Sequence, residues 1–322
     1  MTNHERFPST ILTPYTKKYA FLETDGTCQE KEYTIYPIKF VGLKDIYYYL
    51  KNNPQINKKV FWVLQSRIIN LNTDNKTMTY EETLDSLIDD KSISLPKEYI
   101  EFSNNLSQMR IINKNNKENY YTYSGGMPNM RRLLSGNPKY FCRRNKRESQ
   151  KSIQLNINMA YGSTISSKQA EHLAYFILLI INGLQRNNYE VDVNTIYLTL
   201  TEQEIIDINI KLKKNGEKLN VQELYRIISN VDINRRIIFG VIETSDVTHE
   251  HWISNYGNPC DKDKIFKVKG LTKNDIYIGS PNEIGITGYD LDYDIMCASK
   301  ALNLEKYLKV KEFLEKQKKL RR

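Results

Sequence analysis

A chain of 322 residues, 40% of them hydrophobic, is long enough to bury a full α/β core and to carry a smaller module beside it. Its most apolar stretch, 174–181, is far shorter than the ~20 residues a bilayer helix needs, and residues 1–6 are polar and mixed in charge, so the reading is a soluble, cytoplasmic protein with no membrane contact. The net charge of +9 is concentrated: residues 131–151 carry a local +7 and residues 300–322 a local +6, which leaves about −4 for everything else.

The first 120 residues read as a small α+β region dense in tyrosine (Tyr15, Tyr19, Tyr33, Tyr36, Tyr47, Tyr48 and Tyr49). Strand-like runs over 33–41 and 60–69 alternate with polar turns, and residues 45–51 and 80–89 read as short helices. Thr79 with Glu82 has the spacing of a capping box in front of the second helix. Residues 104–119, rich in asparagine and lysine, read as a loop. Ser124-Gly125-Gly126 then leads into a short amphipathic helix over 127–134, closed by Gly136 and Pro138.

From 153 to 246 the hydrophobic period switches between two and 3.6. Ile153, Leu155, Ile157 and Met159 alternate with polar neighbours, which predicts a strand with one buried face. Ser166 with Gln169 makes a second capping-box spacing, and it opens a helix containing Leu173, Ala174, Phe176, Ile177, Ile180, Ile181 and Leu184, stopped by Asn187-Asn188. The strand over 193–200 is reached only through that helix, so it lies parallel to the first by a right-handed crossover. The strand over 205–212 follows after three residues, short enough for a hairpin and an antiparallel edge partner. Asn215-Gly216 turns the chain into a helix over 221–229, and 236–243 reads as a fourth strand. Beyond it, 265–268 and 275–278 read as strands and 298–319 as a long basic helix. The expected architecture is therefore an α/β domain over 121–322, a mostly parallel sheet flanked by helices with an antiparallel edge strand and a basic C-terminal helix, preceded by the α+β region of 1–120.

This β-α-β-β-α-β order resembles the start of a von Willebrand factor A domain. The resemblance implies a metal-ion-dependent adhesion site, written Asp-x-Ser-x-Ser after the first strand with a further Asp after the fourth. Here the first strand runs into Asn156, Asn158, Tyr161, Gly162, Ser163 and Ser166, so the leading Asp is missing, while Thr244-Ser245-Asp246 places an acid after the fourth strand. Ser163, Ser166 and Asp246 are thus the metal candidates, for Mg²⁺. The segment Tyr121 to Pro138, with Gly125-Gly126 and Ser135-Gly136-Asn137-Pro138, and Arg235-Arg236-Ile237-Ile238-Phe239 leading to Glu243, is similar to an uncharacterised bacteriophage and bacterial family over about residues 79–259.

Three further constellations could carry chemistry. Gly279-Ser280, followed by Asp290-Leu291-Asp292, has the small-residue pair and DxD spacing of polymerase-β-like nucleotidyltransferases, in which two carboxylates on one strand face hold Mg²⁺ for phosphoryl transfer. That Gly-Ser-Pro-Asn sequence also makes a good turn without any ligand. His249, His251, Cys260, Asp261 and Asp263 could form a zinc site, although their spacing matches no closed pattern. Arg131, Arg132, Arg143, Arg144, Lys146 and Arg147 could grip phosphates, with Tyr140 and Phe141 available to stack on bases; charge runs are more often solvated faces. His172 reads as structural. The four cysteines, Cys28, Cys142, Cys260 and Cys297, lack CxxC spacing and read as reduced, buried thiols. No GxSxG, Walker A or GxGxxG sequence occurs. The leading expectation is a non-enzymatic binding or assembly protein of phage or mobile-element origin, in the host cytoplasm or the virion, with a protein partner. The alternative is a sequence-tolerant nucleic-acid-binding protein, and a nucleotidyltransferase-like enzyme comes third.

Overall fold

A computed structural model of the chain describes residues 10–22, 27–53, 79–88, 95–113, 120–124, 127–143, 151–162, 164–187, 189–200, 203–214, 216–244, 260–272, 274–304 and 315. Strands β1 (Thr10–Ile11), β2 (Tyr15–Leu22) and β3 (Cys28–Val41) come first, followed by helices α1 (Gly42–Asn52), α2 (Tyr80–Ser86) and α3 (Lys97–Asn113). A small three-stranded sheet, β4 (Tyr120–Thr122), β5 (Met127–Pro128) and β6 (Phe141–Arg143), encloses the one-turn helix α4 (Met130–Leu134). The central unit is β7 (Lys151–Asn158), α5 (Ser167–Arg186), β8 (Tyr189–Leu200), β9 (Glu204–Lys213) and α6 (Val221–Ser229). A π-helical turn (Ile233–Ile238) runs into α7 (Phe239–Thr244), and α8 (Lys262–Lys269), β10 (Ile276–Ile278) and α9 (Leu291–Ala301) complete the described chain.

The main sheet runs in the order β1-β3-β9-β8-β7-β10, with β2 also paired to β3. As the sequence pattern requires, β7 and β8 are parallel across α5, and β9 is antiparallel to β8. The sheet is nevertheless mixed rather than mostly parallel, because β3 pairs in parallel with β9 and antiparallel with β1 and β2. The expected edge strand β9 is consequently interior, and strands from the first 120 residues belong to the same sheet as β7 to β10.

One face of the sheet carries the large core. Fully buried Leu155 and Ile157 of β7 and Ile206 and Ile208 of β9 share one core with α5, whose Leu173, Phe176, Ile177 and Ile180 are sealed from solvent. Burial of such side chains contributes about 1.5–3 kcal/mol each before the entropy cost of ordering them. The opposite face holds a smaller cluster, in which Phe21, Tyr33, Ile196, Leu198 and Ile205 lie under Ile265 of α8.

Four expectations are corrected here. Residues 236–243 are helical, not a fourth strand: Ile237, Ile238, Phe239, Val241 and Ile242 are all buried, and a helix buried on every side shows no polar alternation to distinguish it from a core strand. Residues 104–113 continue α3 instead of forming a loop, because Tyr99, Phe102 and Leu106 recur at helical spacing, and Tyr99 and Phe102 pack edge-on against Tyr175 of α5. Residues 265–268 lie inside α8, capped by the Asp261 side chain, and only 276–278 of the two late segments is a strand. The helix expected over 298–319 is not continuous: α9 ends at Ala301, Asn303 adopts a left-handed conformation (φ 54°), and beyond Leu304 only residue 315, which is helical, is described. The strand read at 60–69 and most of the basic tail lie outside the described residues. Of the cysteines, Cys28 is exposed, and Cys260 and Cys297 are half-buried free thiols.

Candidate functional site

In an open α/β sheet the place to look first is the crevice beyond the carboxyl ends of parallel strands. For β7 and β10 that crevice is filled by the chain itself. Asn158, the last residue of β7, donates through Nδ2 to the Tyr277 hydroxyl (3.0 Å) and accepts from the Ala160 amide (3.0 Å). The α5 N-terminus above it is closed by the Ser166–Gln169 capping box, as the sequence spacing predicts. Gln169 Nε2 then donates to Asn282 Oδ1 (2.8 Å) and to the Ile286 carbonyl (2.9 Å), drawing the loop after β10 across the helix end. Gly288 sits at φ 83°, and a Cβ there would come within 3.1 Å of the Gln169 amide, so only glycine lets the loop lie so close.

Beneath this loop, His172 and Asp294 form a buried pair with Nδ1 2.7 Å from Oδ2. Asp294 also accepts from the Thr287 amide (2.9 Å), the Thr287 hydroxyl (2.8 Å) and the Gly288 amide (2.8 Å). Burial alone would raise its pKa, but the donors from Thr287, His172 and Gly288 outweigh it and hold the carboxyl below its ordinary value. An ionised carboxylate only accepts, so the His172 Nδ1 carries the proton. A histidine oriented by an aspartate is two-thirds of a nucleophilic triad, yet no hydroxyl or thiol among the described residues hydrogen-bonds the other ring nitrogen. The pair joins α5 to α9. The sequence placed His172 as structural but did not reveal its partner, which lies in a different element far along the chain.

The guanidinium of Arg235, in the π-helical turn, donates through Nη2 to the carbonyls of Gly162 (2.7 Å) and Ile165 (3.1 Å) and so anchors the loop between β7 and α5. Its Nε and Nη1 are buried with no hydrogen-bond partner among the described residues. Desolvation lowers the Arg235 pKa, and the nearby Asp232 opposes that shift.

Each candidate from the sequence can now be placed. Ser166 spends its hydroxyl on the helix cap, and Ser163 and Asp246 lie outside the described residues. Among the described residues no group of three His, Cys, Asp or Glu side chains converges as a metal site would require. Gly279 and Ser280 follow β10, where the Ser280 amide donates to Glu283 Oε2 (2.7 Å) and the Glu283 side chain fills the space beside Gly279. Asp290 and Asp292 do not share a strand face: Asp290 is the N-cap of α9, accepting from the Tyr293 amide (2.7 Å), and Asp292 lies in its first turn. Asp is a favoured N-cap residue, so a DxD pair at a helix start needs no metal to explain it. Of the zinc cluster, His249 and His251 are outside the described residues, Asp261 caps α8, and burial pushes the Cys260 thiol up to about 12, which keeps the thiolate ligand form scarce at neutral pH.

The basic candidates lead to a different kind of surface. Arg131 and Arg132 lie on α4, whose N-cap Asn129 accepts from the Arg132 amide (3.1 Å), and Arg132 Nη1 donates to the Lys139 carbonyl (3.3 Å). Arg143 ends β6, while Arg144, Lys146 and Arg147 lie outside the described residues. On the same small module Met127 is 75% exposed and Leu134 82% exposed, with Tyr123, Met130 and Leu133 also open. Met130, Leu133 and Leu134 are spaced i, i+3 and i+4 and so share one face of α4. In the sequence they read only as part of a short amphipathic helix, because exposure cannot be told from burial without the neighbouring elements.

A model of a domain of unknown function, DUF7192, matches residues 21–319. The chain belongs to the DUF7192 family. The family therefore spans both the β1–β3 strands from Phe21 onward and the β7–β10 unit, in keeping with their shared sheet. No curated protein and no solved structure matches the chain. Among the described residues, no helix is long and apolar enough to cross a membrane.

Proposed function

We propose that this protein is a non-enzymatic binding or assembly protein that docks an acidic protein partner on the β4–β6 module. The observation that carries the reading is the exposed apolar face of α4, flanked by Arg131 and Lys139. Solvent-facing Tyr, Met and Arg side chains are the types enriched at the centres of protein interfaces. A partner presenting carboxylates around an apolar patch complements both the charge and the surface chemistry. The assignment of Asp290, Ser166, Ser280 and His172 to caps, turns and internal pairs supports a binding role over a catalytic one. The A-domain-like reading is retained for the β7–α5–β8–β9 segment as a scaffold, and the Asn-, Ile-, Lys- and Tyr-heavy composition supports a phage or mobile-element setting, in the host cytoplasm or the virion.

The test is capture of the native partner with wild type and with Met130→Glu/Leu134→Glu, followed by hydrogen exchange to map the contact. Loss of the partner by the variant, with protection of 127–134 in the wild-type complex, is the expected result; retention by the variant contradicts it. A second reading, sequence-tolerant nucleic-acid binding, draws on the Tyr140 and Phe141 rings, 4.5 Å apart beside these arginines. It predicts that a single-stranded oligonucleotide binds with a steep salt dependence that Arg131→Glu/Arg132→Glu flattens.

A further inference from the structure

At the opposite end of the sheet, the carboxyl ends of the parallel neighbours β3 and β9 frame a second crevice, of about 430 Å³, that is open and strongly basic. Its lining includes Lys44 of α1, Lys211 and Lys213 of β9, Lys214 and Lys218 from the following loop, and Arg226 of α6. Only Glu217 and Glu223 oppose these six bases in the lining. Val41, Leu43, Leu87 and Leu212 supply an apolar wall.

The basic groups are held by the fold. Lys213 is 97% buried, its ammonium donating to the carbonyls of Val191 (2.7 Å) and Lys214 (3.0 Å), and Arg226 is equally buried in α6. Lys211 leans toward Asp192 at 3.8 Å, whereas Lys44, Lys214 and Lys218 are exposed at the mouth. Helices α1 and α6 both begin here with their starts already capped by the side chains of Asp45, Glu223 and Asn220, so the lysines at the mouth supply the field. One anion is already in place: the Leu43 amide at the start of α1 donates to Glu223 Oε1 (2.7 Å), and Gly42, at φ 76°, leaves the room that the carboxylate occupies.

We propose that this crevice is an anion site for a phosphate-bearing ligand. The volume falls within the ~300–1,000 Å³ of small-molecule sites, and the pairing of a basic mouth with an apolar wall suits a phosphate ester better than inorganic phosphate alone. Neither the α4 face nor its partner enters this inference, and the two stand or fall separately. The chemistry is shared by free phosphate esters and by a nucleic-acid backbone, so the experiment needs both kinds of probe.

Binding of pyrophosphate to the full chain, followed by calorimetry at low salt, is compared among wild type, Lys44→Glu/Lys214→Glu and an equal-charge control, Lys18→Glu/Lys300→Glu, whose residues are exposed on β2 and α9. The crevice variant weakens binding by about tenfold or more while the control stays near wild type, since the charges act locally. Glu223→Gln keeps an acceptor for the Leu43 amide, removes the resident negative charge and tightens binding. Pyrophosphate that binds neither protein, or binds the crevice variant as well as wild type, overturns the proposal. A single-stranded oligonucleotide read on the same three proteins identifies the source: weakened binding by the crevice variant alone assigns a nucleic-acid backbone, and equal binding by all three assigns a free phosphate ester.

Discussion

The two carboxyl-end crevices of this sheet have opposite characters. Beyond β7 and β10, the polar groups at the strand end and helix start are bonded to the chain, Asn158 to Tyr277, Ser166 to Gln169, Gln169 to Asn282 and His172 to Asp294, while Arg235 behind them keeps Nε and Nη1 buried without a partner among the described residues. Beyond β3 and β9, basic side chains gather around open space and two carboxylates, Glu217 and Glu223. The helix starts are capped on both sides, so what differs is the space beyond them: a loop of the chain fills it at α5, and basic side chains line it at α1 and α6. The loop of 282–288 determines this for α5 as much as any residue of α5 itself.

The largest expected effect lies on the closed side. Asp294→Ala strands four donors, from His172, both groups of Thr287 and Gly288, and should cost about 3–5 kcal/mol in urea unfolding. Because the folded pKa of Asp294 is depressed, its contribution is present above the ordinary value of 3.8 and is lost as pH falls through the lower folded value. Wild type should therefore lose stability on acidification below that point more steeply than Asp294→Asn. A loss under 1 kcal/mol for the alanine variant would show that the crevice is not held shut by this pair.

Gly42→Ala comes next, on the open side. A side chain at φ 76° that also displaces the Glu223 carboxylate should cost about 1–2 kcal/mol. Ser166→Ala removes one half of the capping box of α5 and should cost about 1 kcal/mol. Thermal unfolding ranks the two variants directly. The smallest effect belongs to Lys44→Glu/Lys214→Glu, whose residues are exposed and which should leave stability within about 0.5 kcal/mol of wild type. A larger loss would mean that the bases support the fold rather than a ligand.

The closed crevice was partly legible in the sequence, because capping boxes and the β7–α5–β8–β9 alternation are local signals, complete within a few residues. Ser166 and Gln169 announced the helix start, and the three-residue gap before Glu204 announced the hairpin. The His172 partner was not legible, since Asp294 sits in a separate helix and its own surroundings, Asp290 and Asp292, suggest a metal motif. The open crevice was invisible for a similar reason: Lys44 belongs to α1, while Lys211 to Arg226 belong to β9, the loop after it and α6, and the parallel β3–β9 pairing is what brings these distant segments together. That pairing placed an N-terminal strand inside a sheet that the periodicity of 153–246 alone had seemed to complete. The same buried apolar residues that made 236–243 look like a strand, Ile237, Ile238, Phe239, Val241 and Ile242, are what let the π-helical turn and α7 pack in the interior.

The function we propose is that of a binding scaffold whose protein contact lies on the α4 module and whose β7–β10 crevice serves the fold. Hydrogen exchange of the full chain, alone and with its isolated native partner, tests it most directly. The account predicts new protection over 120–134 with 158–172 and 279–294 unchanged. Protection centred on 158–172 and 279–294, with 120–134 unaffected, would contradict it.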